Sequence, residues 1–531
     1  MENSKKLTIA EFYNGKSIFI TGGMGFLGKV IVEKLLRSCS GIEKIFLLAR
    51  SKKGKNVNDR LDEFINSPPM TLLREKNPKV FNKIIMIEGD VSEEKLGISE
   101  ENLKLISENV SIFIHSAATI NFNEPLKIAI KTNLQSVKEI MKMARNSKKL
   151  DALIHVSTAY TNWFEYDCAK GLVEEKIYTN EFKPNDIINL SQSMSQELLN
   201  KLTPSMLGKH TNTYTFTKNL AEQLIVNEGK DLPVAIIRPS MVLGSLKEPF
   251  PGWLDSWAGP TAYAYFLSRG FLRSFHIHKH NIGEIVPVDM TVNLIIASAW
   301  KVGINKSQNE PLIYHNVSGD ANPISWKGYF DLCEINAKKF PLDDVFWYPR
   351  IRYRKTALAT NIDAFFTQRI PAYLIDFASI IMGKKPKMVR LQDKMYHGYN
   401  CVKFASTSPV KFESKNYEKL IESMNPNDVK EFDFDVRKIN WNQYIEDYFL
   451  GARKYLWNST STDFAAGRKK IQMLKYANFC LVGTTLAGSL FLLNKLRNSL
   501  KCEEEGKEIE QLKPKLLNIP VWQWKQRQEV H

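Results

Sequence analysis

The residues from Ser17 to Leu36 constrain this chain more than any other stretch. The apolar run Ser17-Ile18-Phe19-Ile20 leads into Thr21-Gly22-Gly23-Met24-Gly25-Phe26-Leu27-Gly28, and Lys29 to Leu36 follow with helical periodicity. A strand, a tight glycine turn and a helix in that order predict a dinucleotide site. Glycines let the backbone turn sharply and let a pyrophosphate approach the helix N-terminus, whose free N–H groups and dipole favour anions. Two registers fit: Gly23, Gly25 and Gly28 satisfy G-x-G-x-x-G, and Gly22, Gly25 and Gly28 satisfy G-x-x-G-x-x-G.

Further strand-like runs follow at Lys44–Leu48, Lys83–Ile87, Val110–His115, Ala152–Ser157 and Val234–Ile237. Helical segments lie between them, among them Lys29–Arg37, Pro125–Asn146 and Thr217–Glu228. Regular alternation predicts an α/β fold built on a doubly wound, parallel Rossmann-type sheet. The expected organisation is a nucleotide-binding unit over 1–355, a mainly helical C-terminal domain over 356–457 and a distinct tail over 458–531.

Arg50 stands at the end of the second strand, within Leu47-Leu48-Ala49-Arg50-Ser51-Lys52-Lys53-Gly54-Lys55. An acid there would hydrogen-bond a ribose 2′-hydroxyl and repel a 2′-phosphate. One guanidinium and several ammonium groups, Lys52 among them, favour the phosphorylated cofactor, NADPH. Asp90 and Val91 follow the third strand, a position that resembles the one where dinucleotide-binding reductases hydrogen-bond the adenine amino group through an aspartate. Ala117 and Ala118 follow the fourth, where small residues let the backbone touch the cofactor.

Tyr-x-x-x-Lys puts a phenol and an amine on one helical face. The ammonium, helped by the nicotinamide charge, is expected to lower the phenol pKa from its usual ~10. Three copies occur: Tyr166/Lys170, Tyr214/Lys218 and Tyr399/Lys403. Tyr214/Lys218 opens a helix leading to Val234–Ile237 and the turn Arg238-Pro239-Ser240, which makes it the catalytic pair. Ser157 and Thr158, ending the fifth strand, each offer a hydroxyl to a developing oxyanion.

The glycine turn resembles that of the extended short-chain dehydrogenase/reductase family, which uses the Gly22/Gly25/Gly28 register. That resemblance favours Thr158 over Ser157 as the third catalytic group. It adds Thr21, Phe26, Leu27, Asn133 and Pro239 to the cofactor-binding set. Leu47 to Gly54, His115 to Phe122, His155 to Tyr160 and Tyr214 to Lys218 look like fatty acyl-CoA reductases, as does Glu248-Pro249-Phe250-Pro251-Gly252-Trp253-Leu254-Asp255 with Gly259-Pro260. In that family this loop lies in the substrate region. Thr356 to Trp457 resembles the same family's "sterile" domain, with Asn440-Trp441-x-x-Tyr444 and Gly451-Ala452-Arg453-Lys454-Tyr455-Leu456. One departure is Pro409-Val410-Lys411-Phe412, where the family usually has tryptophan before Lys-Phe. The resemblance implies reduction of a long-chain fatty acyl-CoA to a primary alcohol, using two NADPH and passing through a hemithioacetal and an aldehyde. Rival readings are a short-chain-type dehydrogenase for aldehydes or sterols and a non-catalytic lipid-binding homologue.

The net charge of +16, from 73 basic and 57 acidic residues, suits anionic coenzyme A and a dinucleotide phosphate. The basic residues form no arginine-rich block and no zinc-finger spacing, so nucleic acid is not an expected partner. Six cysteines are scattered with no C-x-x-C pair, and no metal centre is expected. That cysteine pattern fits a reducing compartment. No apolar signal core precedes the first strand, so secretion is not expected. Tyr476–Leu493 carries no charge over 18 residues and is expected to span a lipid membrane once. Flanking basic residues favour a cytosolic catalytic region, on endoplasmic reticulum or peroxisome. Ala372–Met382 is also apolar but only 11 residues long, which predicts a core or substrate-lining helix.

Overall fold

The computed structural model describes residues 7–51, 54–165, 172–305, 310–319 and 321–504. Its centre is a seven-stranded sheet of β1 (Ser17–Thr21), β2 (Lys44–Ala49), β3 (Ile84–Glu88), β4 (Val110–His115), β5 (Ala152–Val156), β6 (Val234–Pro239) and β9 (Leu312–Asn316), in the order β3-β2-β1-β4-β5-β6-β9. Every pairing is parallel. The six expected strands form within a residue or two of their expected limits. A short parallel pair, β7 (Met241–Leu243) with β8 (Ile285–Pro287), stands apart.

A parallel sheet needs cover on both faces, and the strand sequences show it. β1, β4, β5 and β6 are buried along their whole length. Side chains alternate between the two covers. Ile18 and Ile20 pack with Val30, Leu35 and Ile295 on one side, while Phe19 and Phe113 pack with Val137 and Leu220 on the other. Strand order reverses between β1 and β4, so the crevice at their carboxyl ends is where such a sheet receives a ligand.

The expected helix over Pro125–Asn146 is interrupted. Leu126–Ala129 and Ser136–Arg145 are α-helical, and Ile130–Gln135 widens into a π-turn. Asn133 lies in that turn.

Two membrane and core expectations change. The 476–493 segment falls in the helix Phe464–Glu504, and the side chains of Val482, Thr485, Leu486, Ser489 and Leu493 lie outside the described residues. No helix among the described residues is long and apolar enough to cross a membrane. The start of the segment shows one reason: Asn478 is buried and accepts hydrogen bonds from Arg273 Nη2 at 2.8 Å and Trp347 Nε1 at 3.2 Å. That turn is docked on the protein body, and Phe479 to Leu493 falls short of the ~20 residues a span needs. The second change concerns Ile370–Ile381, which is neither core nor cleft lining. Ala372 and Asp376 are buried, whereas Leu374, Phe377 and Ile381 face outward.

Candidate active site

The glycine turn after β1 is shaped by two close approaches. Gly22 has φ +73°, and a Cβ there would lie 2.8 Å from the Ala117 backbone nitrogen. A Cβ at Gly28 would lie 2.2 Å from the Gly22 carbonyl oxygen. Neither atom can move without rebuilding the backbone. At Gly23 the collision would be with the far end of the Leu47 side chain, which can rotate. The geometry therefore selects the Gly22/Gly25/Gly28 register. Gly25 caps the helix Phe26–Ser38 with no side-chain acceptor and no acidic residue in the first turn. Its first N–H groups are thus left for an anion, and the turn fits a dinucleotide pyrophosphate.

Gly22, Gly25, Phe26, Leu27 and Gly28 line one wall of a cleft of about 900 Å³. Arg50, Asp90, Val91, Ala117, Ala118, Ser157, Thr158, Tyr214, Lys218 and Pro239 line it too. Two expected cofactor residues do not. Thr21 is fully buried, with Oγ1 2.7 Å from His115 Nδ1 and accepting from the Ala117 N–H at 3.3 Å. Asn133 is fully buried as well: its Oδ1 accepts from the Thr119 N–H at 2.9 Å and its Nδ2 donates to Thr217 Oγ1 at 3.1 Å. Both hold the loop after β4 in place instead of facing the cleft, because their polar atoms are already engaged. Lys52 lies outside the described residues, as do Tyr166 and Lys170.

At the end of β2, Arg50 is largely exposed and reaches Asp90 Oδ2 at 3.3 Å. Burial pushes the Asp90 carboxyl up, but hydrogen bonds from Ser92 and Arg50 outweigh it and hold the group below the usual carboxylate range. Arg60 joins the same wall and donates to the Arg50 carbonyl at 2.6 Å. Its position ten residues after Arg50 has no spacing that marks it in the sequence.

Asn212 caps the helix Thr213–Glu228, which carries Tyr214 and Lys218 into the cleft. The Thr158 hydroxyl lies beside the Tyr214 phenol. Burial pushes that phenol up to about 12, with the Thr158 hydroxyl opposing the rise. The Lys218 amine donates to the Val156 carbonyl at 2.6 Å. Burial lowers Lys218 to about 8, against the opposing charge of Glu222.

Ser157 is engaged elsewhere. Its hydroxyl donates to Glu222 Oε1 at 2.5 Å. Glu222 also accepts from Arg238 Nε at 2.9 Å and Arg238 Nη2 at 2.6 Å, and Arg238 Nη1 lies 3.0 Å from His315 Nε2. Both ions are 1% exposed. The sequence reading missed this network, although its signal was present: Tyr214, Lys218 and Glu222 repeat at i, i+4, i+8 and share one helix face.

The far end of the cleft is apolar and aromatic. Tyr263, Phe275, Trp326, Phe330, Tyr399 and Phe404 line it, so the C-terminal helical region supplies part of the wall. Tyr399 reaches the same cleft as Tyr214, but its hydroxyl donates to the His276 carbonyl. The expected substrate loop divides. Ser256, Ala258, Gly259 and Pro260 line the cleft, whereas Gly252, Trp253 and Leu254 are buried away from it, the Trp253 ring 5.3 Å from Phe26.

The family model described as male sterility protein, in its NAD-binding form, matches residues 20–295. A second, the Sterile model of the same description, matches 367–459. Fatty acyl-CoA reductase 1 of Homo sapiens is 34% identical over 470 residues, covering 88% of this chain and 90% of its own length. Fatty acyl-CoA reductase wat of Drosophila melanogaster is 36% identical over 488 residues, 91% of this chain and 93% of its own. This chain belongs to the fatty acyl-CoA reductase family.

Solved structures similar to this reductase share its fold at low identity. The terminal R domain of the myxalamid PKS-NRPS pathway superposes with a TM-score of 0.57 at 16% identity, covering 84% of this chain and 92% of that one. The reductase domain of a nonribosomal peptide synthetase from Mycobacterium tuberculosis gives 0.53 at 18% identity, covering 85% and 96%.

Proposed function

We propose that this chain reduces a long-chain fatty acyl-CoA to the primary fatty alcohol with NADPH. One observation carries the reading: a phenol–hydroxyl pair, Tyr214 with Thr158, lines the same cleft as the glycine turn and the aromatic side chains. The glycine turn and Lys218 would hold the dinucleotide, which when bound supplies hydride to the substrate carbonyl. Arg50 and Arg60 support the phosphorylated form, since two guanidinium groups on the cleft wall would attract a 2′-phosphate.

The protein's own groups then act on oxygen and protons. Thr158 and Tyr214 donate to the carbonyl oxygen as it gains charge. A phenol near 12 stays protonated at neutral pH, so Tyr214 is a donor from the outset, as a reduction requires. Collapse of the hemithioacetal expels coenzyme A as its thiol and leaves an aldehyde. The second reduction ends when Tyr214 gives its proton to the alkoxide oxygen. Tyr263, Phe275, Phe330 and Phe404 keep water from the aldehyde and contact the chain.

A lipid membrane, and a site on an intracellular membrane with the reductase facing the cytosol, are part of this reading, as association and not as a span. The test is palmitoyl-CoA with NADPH and gas chromatography of the products. Hexadecanol with two NADPH consumed per coenzyme A released is expected, and Tyr214→Phe should lose it. Aldehyde or sterol turnover without alcohol from the thioester would overturn the assignment.

A further inference from the structure

Ile370–Ile381 presents an apolar face to solvent. Leu374, Phe377 and Ile381 are 63%, 64% and 71% exposed, and their spacing puts them on one side of the helix. Its buried side carries Asp376, whose carboxylate accepts from the N–H groups of Lys387, Met388 and Val389 at 2.8, 2.8 and 2.9 Å. That cap fixes the following loop, so Lys384, Lys385 and Lys387 stand exposed at the end of the apolar face.

A second apolar strip adjoins the first. Arg273 donates to the Thr367 carbonyl at 3.4 Å and to Asn478 Oδ1 at 2.8 Å. One guanidinium therefore brings exposed Phe365 and Phe366, beside Thr367, next to exposed Tyr476 and Phe479, beside Asn478. Between Ala357 and Gln392 the acidic residues are Asp363 and Asp376. Asp363 pairs with Arg352 at 3.1 Å and Arg354 at 2.7 Å, and Asp376 is the buried cap. The surface is thus aromatic and aliphatic and rimmed by lysines; the nearest exposed carboxylate, Asp393, is paired with Arg369 at 2.5 Å. This is the pattern of an element that lies in the headgroup region of a membrane with its apolar face toward the acyl chains.

We propose that the outward face of Ile370–Ile381, with Phe365, Phe366 and the adjoining strip of Phe464–Glu504, docks on an anionic lipid bilayer. The proposal deepens the membrane part of the function proposed above and rests on it. The neighbouring helix Met388–Thr407 carries Tyr399 and Phe404 into the cleft. The helical region therefore meets lipid on its outer layer and substrate on its inner one.

The test is flotation of the full-length protein with vesicles of phosphatidylcholine alone and with one-fifth phosphatidylserine. Leu374→Glu/Phe377→Glu should weaken binding at least tenfold. Lys384→Glu/Lys385→Glu/Lys387→Glu should weaken binding to the anionic vesicles on the order of fivefold per lysine and change neutral binding little. Octanoyl-CoA reduction in solution and the thermal midpoint should stay as in the parent, which excludes misfolding. A parent that floats with neither vesicle overturns both this surface and the membrane reading. A parent that floats together with an unimpaired Leu374→Glu/Phe377→Glu variant overturns this surface alone. Lysine variants that keep anionic binding overturn the charge assignment. A variant that turns a dimer into a monomer while floating normally would give the face to a second copy of the chain and overturn the proposal.

Discussion

Ser157 and Thr158 are neighbours with similar hydroxyls, and the structure gives them different work. Thr158 touches the Tyr214 phenol and has a long bond, 3.4 Å, to the Pro239 carbonyl. Thr158→Val should therefore cost ~10²–10³ in kcat, about 2.7–4 kcal/mol, the usual loss for one donor to a developing oxyanion. Its stability cost should stay near ~1–2 kcal/mol, since two long bonds are lost, one to the Pro239 carbonyl at 3.4 Å and one from the Tyr160 N–H at 3.3 Å. Ser157 donates to a buried carboxylate at 2.5 Å, a bond to a charged group worth about 1.5–3 kcal/mol. Ser157→Ala should lower the unfolding midpoint and leave kcat within roughly fivefold of the parent, a barrier change under about 1 kcal/mol. The assay is NADPH oxidation at saturating acyl-CoA, with urea midpoints measured in parallel. Midpoints are compared directly, because a chain of this size does not unfold in two states. Thr158→Ser is the control and should recover most of the rate. A Ser157→Ala enzyme slowed a hundredfold beside a near-normal Thr158→Val enzyme would refute the assignment.

Three other outcomes follow from the same geometry. Arg50→Asp should shift kcat/KM toward NADH by about tenfold or more, since a carboxylate repels a 2′-phosphate; an unchanged cofactor ratio would remove Arg50 from that role. Glu222→Gln should destabilise by about 3–5 kcal/mol, because it leaves the Arg238 charge buried without its counter-ion; a thermal midpoint within a degree of the parent would contradict the buried pair. Burial lowers Lys218 to about 8, so the reduction rate should fall as pH rises through that value and the ammonium is lost. The stability contribution has the opposite sign: between about 8 and the ~10.4 of free lysine the unfolded chain binds more protons, so this term rises with pH. Lys218→Met should abolish both inflections.

The glycine turn, the six strands in their order and the Tyr214/Lys218 pair were legible because each depends on local spacing: period two in strands, i, i+4 on a helix, glycine at a turn. What escaped depends on tertiary contact. β9 lies far from β6 in sequence and carries Tyr314, His315 and Asn316, which read as polar until the sheet edge buries them. Thr21 and Asn133 have the right place in the chain for a cofactor, yet neighbouring loops claim their polar atoms first. The Val156 carbonyl, which no spacing rule reveals, accepts a hydrogen bond from the Lys218 amine at 2.6 Å. The apolar run 372–382 reads as core or substrate lining from composition alone, and only the exposure of Leu374 and Phe377 among the described residues shows otherwise.

Gly252 and Gly451 lie back to back where the Glu248–Asp255 loop meets the helix Trp441–Tyr455. A Cβ on Gly252 would lie 2.0 Å from the Asp447 carbonyl oxygen, and one on Gly451 would lie 1.8 Å from the Gly252 carbonyl oxygen. Two stretches of main chain, some two hundred positions apart, thus share a seam with no room for even a methyl group. Chimaeras that exchange the C-terminal helices between relatives would have to inherit both sides of that seam together.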